Sequence, residues 1–135
     1  MTATIRAEQL LAHSPARVWR ALTDPALLSR WLMPTDFRAE VGAKFTFDTG
    51  QWGKTRCEVL EIEPGRLLRI SWNNPPLDTT VTWRLEPEAA GTRLIVEHAG
   101  FDLADPRQAF AHEGMRGGWA GGIATRLVEL LTDAD

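Results

Sequence analysis

His98 is the residue whose type and position best suit chemistry. It is in phase with Leu94 and Val96 in a segment of period-two alternation, so we expect its imidazole to point into the protein. An inward imidazole serves as a general base or orients a polar ligand group, whereas most buried histidines bond to a neighbouring protein group. His13 and His112 are expected to be exposed. The three histidines lie too far apart in sequence for a metal-ligand pattern.

Cys57 and two glutamates are the other reactive residue types in the strands. Cys57 is expected to face inward, where a cysteine behaves as a small hydrophobe, and no Lys or His is its sequence neighbour. Glu61 and Glu63 take the phase opposite to Leu60 and Ile62, so we expect them in solvent. The sequence contains no Gly-x-Ser-x-Gly elbow. We therefore assign no catalytic residue; the sequence leaves enzymatic activity open and favours a binding protein.

Aromatic residues are distributed in a way that is typical of a pocket wall. The chain has six tryptophans and no tyrosine. Aromatic walls with one or two polar groups line many small-molecule sites, although the same residues also fill ordinary cores. Phase and position put several of them on the inner face of a sheet and others on the helices that cover it. The candidate ligand-binding residues are Trp31, Phe45, Phe47, Cys57, Trp72, Trp83, His98, Met115 and Trp119.

Two short helices are predicted near the N-terminus by paired start signals. Ser14-Pro15 and Asp24-Pro25 each join a capping side chain to a proline that suits the first helical position. The helices are expected over residues 15–22 and 25–32, and Pro34 ends the second. Asp105-Pro106 repeats the signal before the C-terminal segment.

Period-two alternation predicts a meander of about six or seven antiparallel strands between these helices. A change of phase near Val59 and Leu60 predicts a bulge. The apolar face of such a sheet needs a cover, and a C-terminal helix with Ile123, Leu127 and Leu130 on one face is expected to supply it. The predicted strands span residues 5–12, 37–41, 44–48, 55–63, 68–72, 81–85 and 93–98.

Five glycines form two helical rows in the C-terminal segment: Gly114, Gly118 and Gly122, with Gly117 and Gly121 alongside. Glycine inside a helix costs about 1 kcal/mol relative to alanine, so the set costs about 4–5 kcal/mol. Three explanations stay open: close packing of the helix, a wide or flexible pocket mouth, or a loop over residues 114–118 with the helix beginning near Trp119.

Bulk composition indicates one globular domain over residues 1–135 in the cytoplasm. The net charge is −3 and the basic residues are scattered, which argues against a nucleic-acid surface. One cysteine fits a reducing compartment. The N-terminus has no apolar signal core, and no apolar run approaches the roughly 20 residues of a membrane span.

The order of motifs resembles the helix-grip (START-like, SRPBCC) superfamily, and more narrowly the family named for the activator of the 90-kDa heat-shock-protein ATPase. The resemblance spans nearly the whole chain. The residues that carry it are Ser14-Pro15-Ala16-x-Val18-Trp19, Thr23-Asp24-Pro25, Leu28-x-x-Trp31, Gly42-x-x-Phe45, Val59-Leu60-Glu61-Ile62-x-Pro64, Trp72, Gly91-Thr92-Arg93-Leu94, His98-x-Gly100-Phe101 and Gly118-Trp119.

The resemblance implies an α+β helix-grip fold that holds a small apolar or aromatic molecule between the sheet and the C-terminal helix, without a cofactor. Other members are similar to polyketide cyclases or aromatases, a role that here requires His98 and a second inward polar group. A third alternative is a co-chaperone that stimulates a heat-shock ATPase, although the eukaryotic namesakes carry a further domain not present in these residues. No membrane insertion is expected, and a homodimer stays an open alternative.

Overall fold

A computed structural model describes residues 2–50, 53–120 and 122–133, with side chains described at all of these except 120, 122–124 and 133. A six-stranded sheet has the order β1-β6-β5-β4-β3-β2, and every neighbouring pair is antiparallel. The sheet is curved and unclosed, and its cover is helical, which confirms the predicted α+β helix-grip class. The strands are β1 (Ala3–Leu11), β2 (Lys44–Asp48), β3 (Lys54–Glu63), β4 (Leu67–Asn74), β5 (Leu77–Glu88) and β6 (Gly91–Phe101).

The helices are α1 (Pro15–Thr23), α2 (Pro25–Trp31), α3 (Pro106–Ala120) and α4 (Gly122–Asp133). The first two begin where the caps predict. Ser14 Oγ accepts the Arg17 N–H, and an Asp24 carboxylate oxygen accepts the Ala26 N–H. Asp24 also ends α1, because its own N–H donates to the Arg20 carbonyl. One residue therefore serves as C-cap of α1 and N-cap of α2.

The strand predicted over residues 37–41 is wrong. Of the residues expected to be buried in this strand, only Phe37 is buried, and the centroid of its ring lies 5.0 Å from that of Phe45. Val41 is 62% exposed, and the backbone closes on itself through Ala43 N–H to the Glu40 carbonyl. Alternating residue types cannot make a strand where the backbone has no partner for a ladder. The predicted bulge is confirmed, since the register of β3 against β4 shifts between Val59 and Glu61.

The predicted C-terminal helix consists of α3 and α4, and it begins at Pro106 rather than at Trp119. The loop proposed for residues 114–118 is therefore wrong. An Asp105 carboxylate oxygen caps α3 by accepting the Arg107 N–H. Leu127 and Leu130 are buried as expected, whereas the predictions for Gly121 and for the Ile123 side chain lie outside the described residues.

The core lies between the inner face of the sheet and the helices. Helix α3 packs against β1 and β6, and α4 packs against α1 and α2. Arg17 ties α1 to α4 by donating to the Leu131 carbonyl. Within the described ranges, no helix combines the length and apolarity that a bilayer crossing requires.

Candidate ligand-binding cavity

A cavity of about 910 Å³ lies between α3 and the adjacent ends of β3, β4 and β5. Its volume falls within the range of sites that enclose small organic molecules. Most of the wall is apolar, and Arg107 contributes the one ionisable group of the described lining. The lining residues are Met33, Thr49, Thr55, Trp72, Asn74, Pro75, Pro76, Leu77, Pro106, Arg107, Phe110, Ala111, Gly114, Met115, Gly118 and Trp119.

Helix α3 presents two adjacent rows of residues to this cavity. The rows follow the four-residue spacing of one helical face, and one of them contains Gly114 and Gly118. A Cβ added at Gly114, or at Gly117 outside the lining, would meet nothing within 4 Å. Close packing therefore does not explain these two glycines, and the explanation as a wide pocket mouth fits Gly114. The rows are Pro106, Phe110, Gly114, Gly118 and Arg107, Ala111, Met115, Trp119.

The opposite wall is formed where β3 begins and β4 ends. Trp72 and Asn74 are two residues apart in β4, so both face the same side of the sheet. Asn74 Nδ2 donates to Thr55 Oγ1 over 3.2 Å, which joins the two strands at the cavity. Thr55 has no exposed surface. This wall is apolar apart from a small group of neutral hydrogen-bonding atoms.

Three of the predicted ligand-binding residues, Trp72, Met115 and Trp119, lie on the cavity wall. Contact with a ligand stays a prediction for all of them. The other six are buried but do not belong to the cavity lining: Trp31, Phe45, Phe47, Cys57, Trp83 and His98. The period-two alternation identifies which residues lie on the inner face of a strand. Some residues of that face pack in the core and others line the cavity, and the alternation does not distinguish these two groups.

His98 is fully buried and both of its ring nitrogens are occupied. Thr79 Oγ1 donates to the Trp72 carbonyl over 2.9 Å, so it accepts from His98 Nε2 at 2.7 Å. Trp119 Nε1–H donates to His98 Nδ1 over 3.2 Å. This network requires the neutral imidazole with its proton on Nε2. Burial, with a smaller effect of the charge on His112, lowers the pKa of His98 to about 3.

No catalytic group emerges from the other candidates in the described part of the chain. Burial, followed by the negative charge of Asp36, raises the pKa of the Cys57 thiol to about 12, so the reactive thiolate is suppressed. Glu61 is in partial contact with solvent and pairs with Arg69 at 3.0 Å, and Glu63 is exposed, as expected. His112 is half-buried against Phe101, at 5.1 Å between ring centroids, so its predicted exposure is wrong.

The other expected exposed histidine, His13, is also half-buried. Across the ranges that the structure describes, no group of His, Cys, Asp or Glu side chains could hold a metal ion.

Several lining residues were missed from the sequence. Asn74 stands before Pro75-Pro76 at a strand end, a signal that placed a loop there but did not point to a pocket. No sequence pattern around Thr55 or Phe110 indicated that these residues line a cavity. The sequence also could not show that the indole N–H of Trp72, a residue only 3% exposed, has no hydrogen-bond partner among the described residues. Partners of a buried N–H depend on which elements meet in space.

The sequence of this chain matches that of a known protein family. The model of the family described as Activator of Hsp90 ATPase homolog 1-like protein matches residues 12–132. The chain belongs to this family. Its fold, that of the SRPBCC superfamily, commonly binds ligands. Among curated proteins, none matches the chain.

Several solved structures have the same fold as this protein. Protein MLL2253 of Mesorhizobium loti is 37% identical with a TM-score of 0.88, over 98% of this chain and 99% of that one. Protein BH1534 of Bacillus halodurans is 27% identical with a TM-score of 0.81, over 97% and 99% of the two chains. DynU16, from the dynemicin biosynthetic locus, is 24% identical with a TM-score of 0.82. It matches 98% of this chain, but the match spans only 48% of that longer chain, and it shows the fold alone.

Proposed function

We propose that this protein binds a small apolar or aromatic molecule in the cavity between the sheet and α3. The observation that carries the proposal is an apolar cavity of about 910 Å³. A cavity of this size and lining favours molecules that gain by leaving water. The missing side chains at Gly114 and Gly118 keep the helical wall thin, which accounts for glycines that the helix itself disfavours.

The cyclase alternative receives no support from His98. A general base must reach the proton that it removes, but His98 does not line the cavity and both of its nitrogens bond to protein groups. Sequestering or carrying a ligand needs no such group. Binding without turnover is therefore the function that the geometry supports best.

Filling the cavity from its helical wall tests this function. Gly114→Leu would place an isobutyl group at the cavity, and we expect it to weaken binding of neutral polycyclic aromatic compounds by about tenfold or more, as overpacking does. The measurement is quenching of tryptophan fluorescence across a panel of such compounds. Native mass spectrometry of freshly purified protein provides a second readout through retained small molecules.

Gly117→Leu is the matched control. Gly117 lies on the same helix, also has open space around an added Cβ, and does not line the cavity. Both variants replace glycine by a good helix former, so effects on helix stability are shared. Equal weakening by both variants, or silence of the wild-type protein across the whole panel, would refute the proposed site.

A further inference from the structure

The two edges of the sheet differ in how their backbone groups are used. At the β2 edge, an Asp36 carboxylate oxygen accepts the Thr46 N–H over 2.8 Å. The Asp48 N–H donates to the Pro34 carbonyl over 2.9 Å. Strand β1 lies at the other end of the sheet and, within the described residues, pairs with β6 alone. A free strand edge presents N–H and C=O groups that can pair with a further strand.

Alternate residues of β1 direct their backbone groups away from β6. The Leu11 carbonyl points to β6, because a Cβ added at Gly91 would lie 2.0 Å from its oxygen. The bonding direction reverses at each residue of an antiparallel strand, so Leu10 faces the open edge. Its carbonyl accepts the Gln9 side-chain amide over 3.3 Å, which agrees with a position outside the β6 ladder. The residues whose backbone groups face the open edge are Thr4, Arg6, Glu8 and Leu10.

The open edge is accessible to another strand. All four edge-facing residues are exposed, and Leu10 is 50% exposed. Helix α3 packs against β1 from the inner face, where Trp119 bonds to His98, the β6 residue opposite Ile5. The strand also lacks features that commonly protect an edge. It contains no proline or lysine, and its register against β6 is regular from Thr4 to Leu11.

The charges along this edge are complementary to themselves in an antiparallel arrangement. Arg6 and Glu8 flank Ala7, and their side chains pair at 3.0 Å within one chain. Two antiparallel β1 strands with Ala7 opposite Ala7 place each Arg6 opposite a Glu8. The same register places Thr4 opposite Leu10, so edge-facing residues meet each other as a hydrogen-bonded ladder requires. Centring the pairing on Arg6 or on Glu8 would instead place like charges opposite each other.

We propose that the open edge of β1 binds β1 of a second copy of this chain, antiparallel and centred on Ala7. The contact is isologous, so a two-fold axis relates the copies and the dimer is closed. The edge-facing pairs each exchange two backbone hydrogen bonds, about eight in all. An interface of one strand from each copy is small, so the dimer dissociates on dilution. No β1 residue belongs to the described cavity lining, and each copy keeps its own cavity.

Sedimentation equilibrium of the whole chain from about 5 to about 500 µM measures the association. We expect the average mass to rise with concentration from that of the 15.0 kDa monomer towards twice that value. Arg6→Glu and Glu8→Arg each place like charges opposite each other at two symmetric positions, and each should weaken the dimer by about tenfold. Mixing the two variants should restore association, because every cross-strand pair in the mixed dimer again has opposite charges.

Arg38→Glu is the matched control. Arg38 pairs with Glu40 at 2.8 Å, with the same sequence spacing as Arg6 and Glu8, and it lies outside β1. This variant should dimerise as wild type does. Amide hydrogen exchange locates the contact, since the N–H groups of Arg6 and Glu8 should exchange more slowly at high protein concentration than at low concentration.

A monomer at every concentration overturns the inference and would leave this edge to a strand of a different protein. A dimer that is insensitive to Arg6→Glu, or that leaves the β1 amides unprotected, places the contact on another surface and overturns it as well. Failure of the mixed variants to associate overturns the register centred on Ala7. The proposed function is tested separately, because its cavity does not include this strand.

Discussion

His98 shows at the level of one residue how tertiary surroundings decide what a functional group can do. Its phase in β6 correctly predicts an inward imidazole. Inside the fold, however, Thr79 and Trp119 occupy both ring nitrogens. The imidazole therefore links the sheet to α3 through these two hydrogen bonds. Its hydrogen bond with Trp119 helps to position a residue of the cavity wall.

The buried neutral state of His98 predicts a specific pH dependence of stability. Burial lowers the pKa of His98 in the folded protein to about 3, from an ordinary value of 6.5. The unfolded chain therefore binds the proton first, and the contribution is full above the unfolded pKa and is lost as the pH falls towards 3. Between about pH 6 and about pH 4 we expect a loss of about 2–3 kcal/mol from this group.

Urea unfolding of wild type and His98→Gln at both pH values measures this effect. The variant lacks the titrating group but keeps His13, His112 and all the carboxylates, so its smaller loss of unfolding free energy isolates His98. Equal losses in the two proteins would show that His98 is protonated in the folded state at mild acidity, contrary to the network described here.

At the level of elements, α3 combines a helix start with glycines that weaken the helix interior. The Asp105 cap and Pro106 account for where it begins. The glycine at position 114 is accounted for by the cavity, because a side chain there would occupy it. The low helix propensity of glycine conflicts here with the helical structure, and conflicts of this kind commonly occur at functional sites.

Glycine-to-alanine substitutions in α3 should therefore stabilise the protein. Gly114→Ala and Gly117→Ala each add a methyl group in open space, with no positive φ to strain. We expect each to raise the free energy of unfolding by up to about 1 kcal/mol. Chemical denaturation midpoints at constant slope provide the measurement.

Gly91→Ala is the contrasting variant at the start of β6. Its Cβ would lie 2.0 Å from the Leu11 carbonyl oxygen, and the φ angle there is +147°. We expect a loss of more than about 2 kcal/mol, or failure to fold. A stabilised Gly91→Ala, or α3 variants that lose stability, would mean that these backbone surroundings differ in solution.

For the whole molecule, a ligand that enters the cavity contacts α3 and the sheet together, so binding should stabilise the entire fold. A ligand at ten times its Kd adds about 1.4 kcal/mol, which raises Tm by about 5 °C in a domain of this size. The check is a thermal scan of wild type with a neutral polycyclic aromatic compound that quenches its tryptophan fluorescence. Gly114→Leu should show a much smaller shift at the same concentration, and equal shifts in both proteins would place binding elsewhere.

The residue patterns predicted the architecture because local chemistry sets it. Ser14 and Asp24 cap the first helices, alternation in β3 to β6 requires a sheet with one apolar face, and the bulge appears as a change of phase. Prediction failed at residues 37–41, where alternation exists without a pairing partner. For α3, the Asp105-Pro106 signal marked the correct start, but the glycine content left open a loop over residues 114–118, and only the structure shows that the helix continues through them.

By itself, the sequence determined the α+β class, the family and the inner face of each main strand, since caps, periodicity and turns act over a few residues. The tertiary structure alone decided that His98 is neutral and enclosed, and that Trp72, Met115 and Trp119 border one cavity. It also decided that the Trp72 indole N–H has no hydrogen-bond partner among the described residues. Those properties depend on the space left between elements distant in sequence. No local pattern encodes that space.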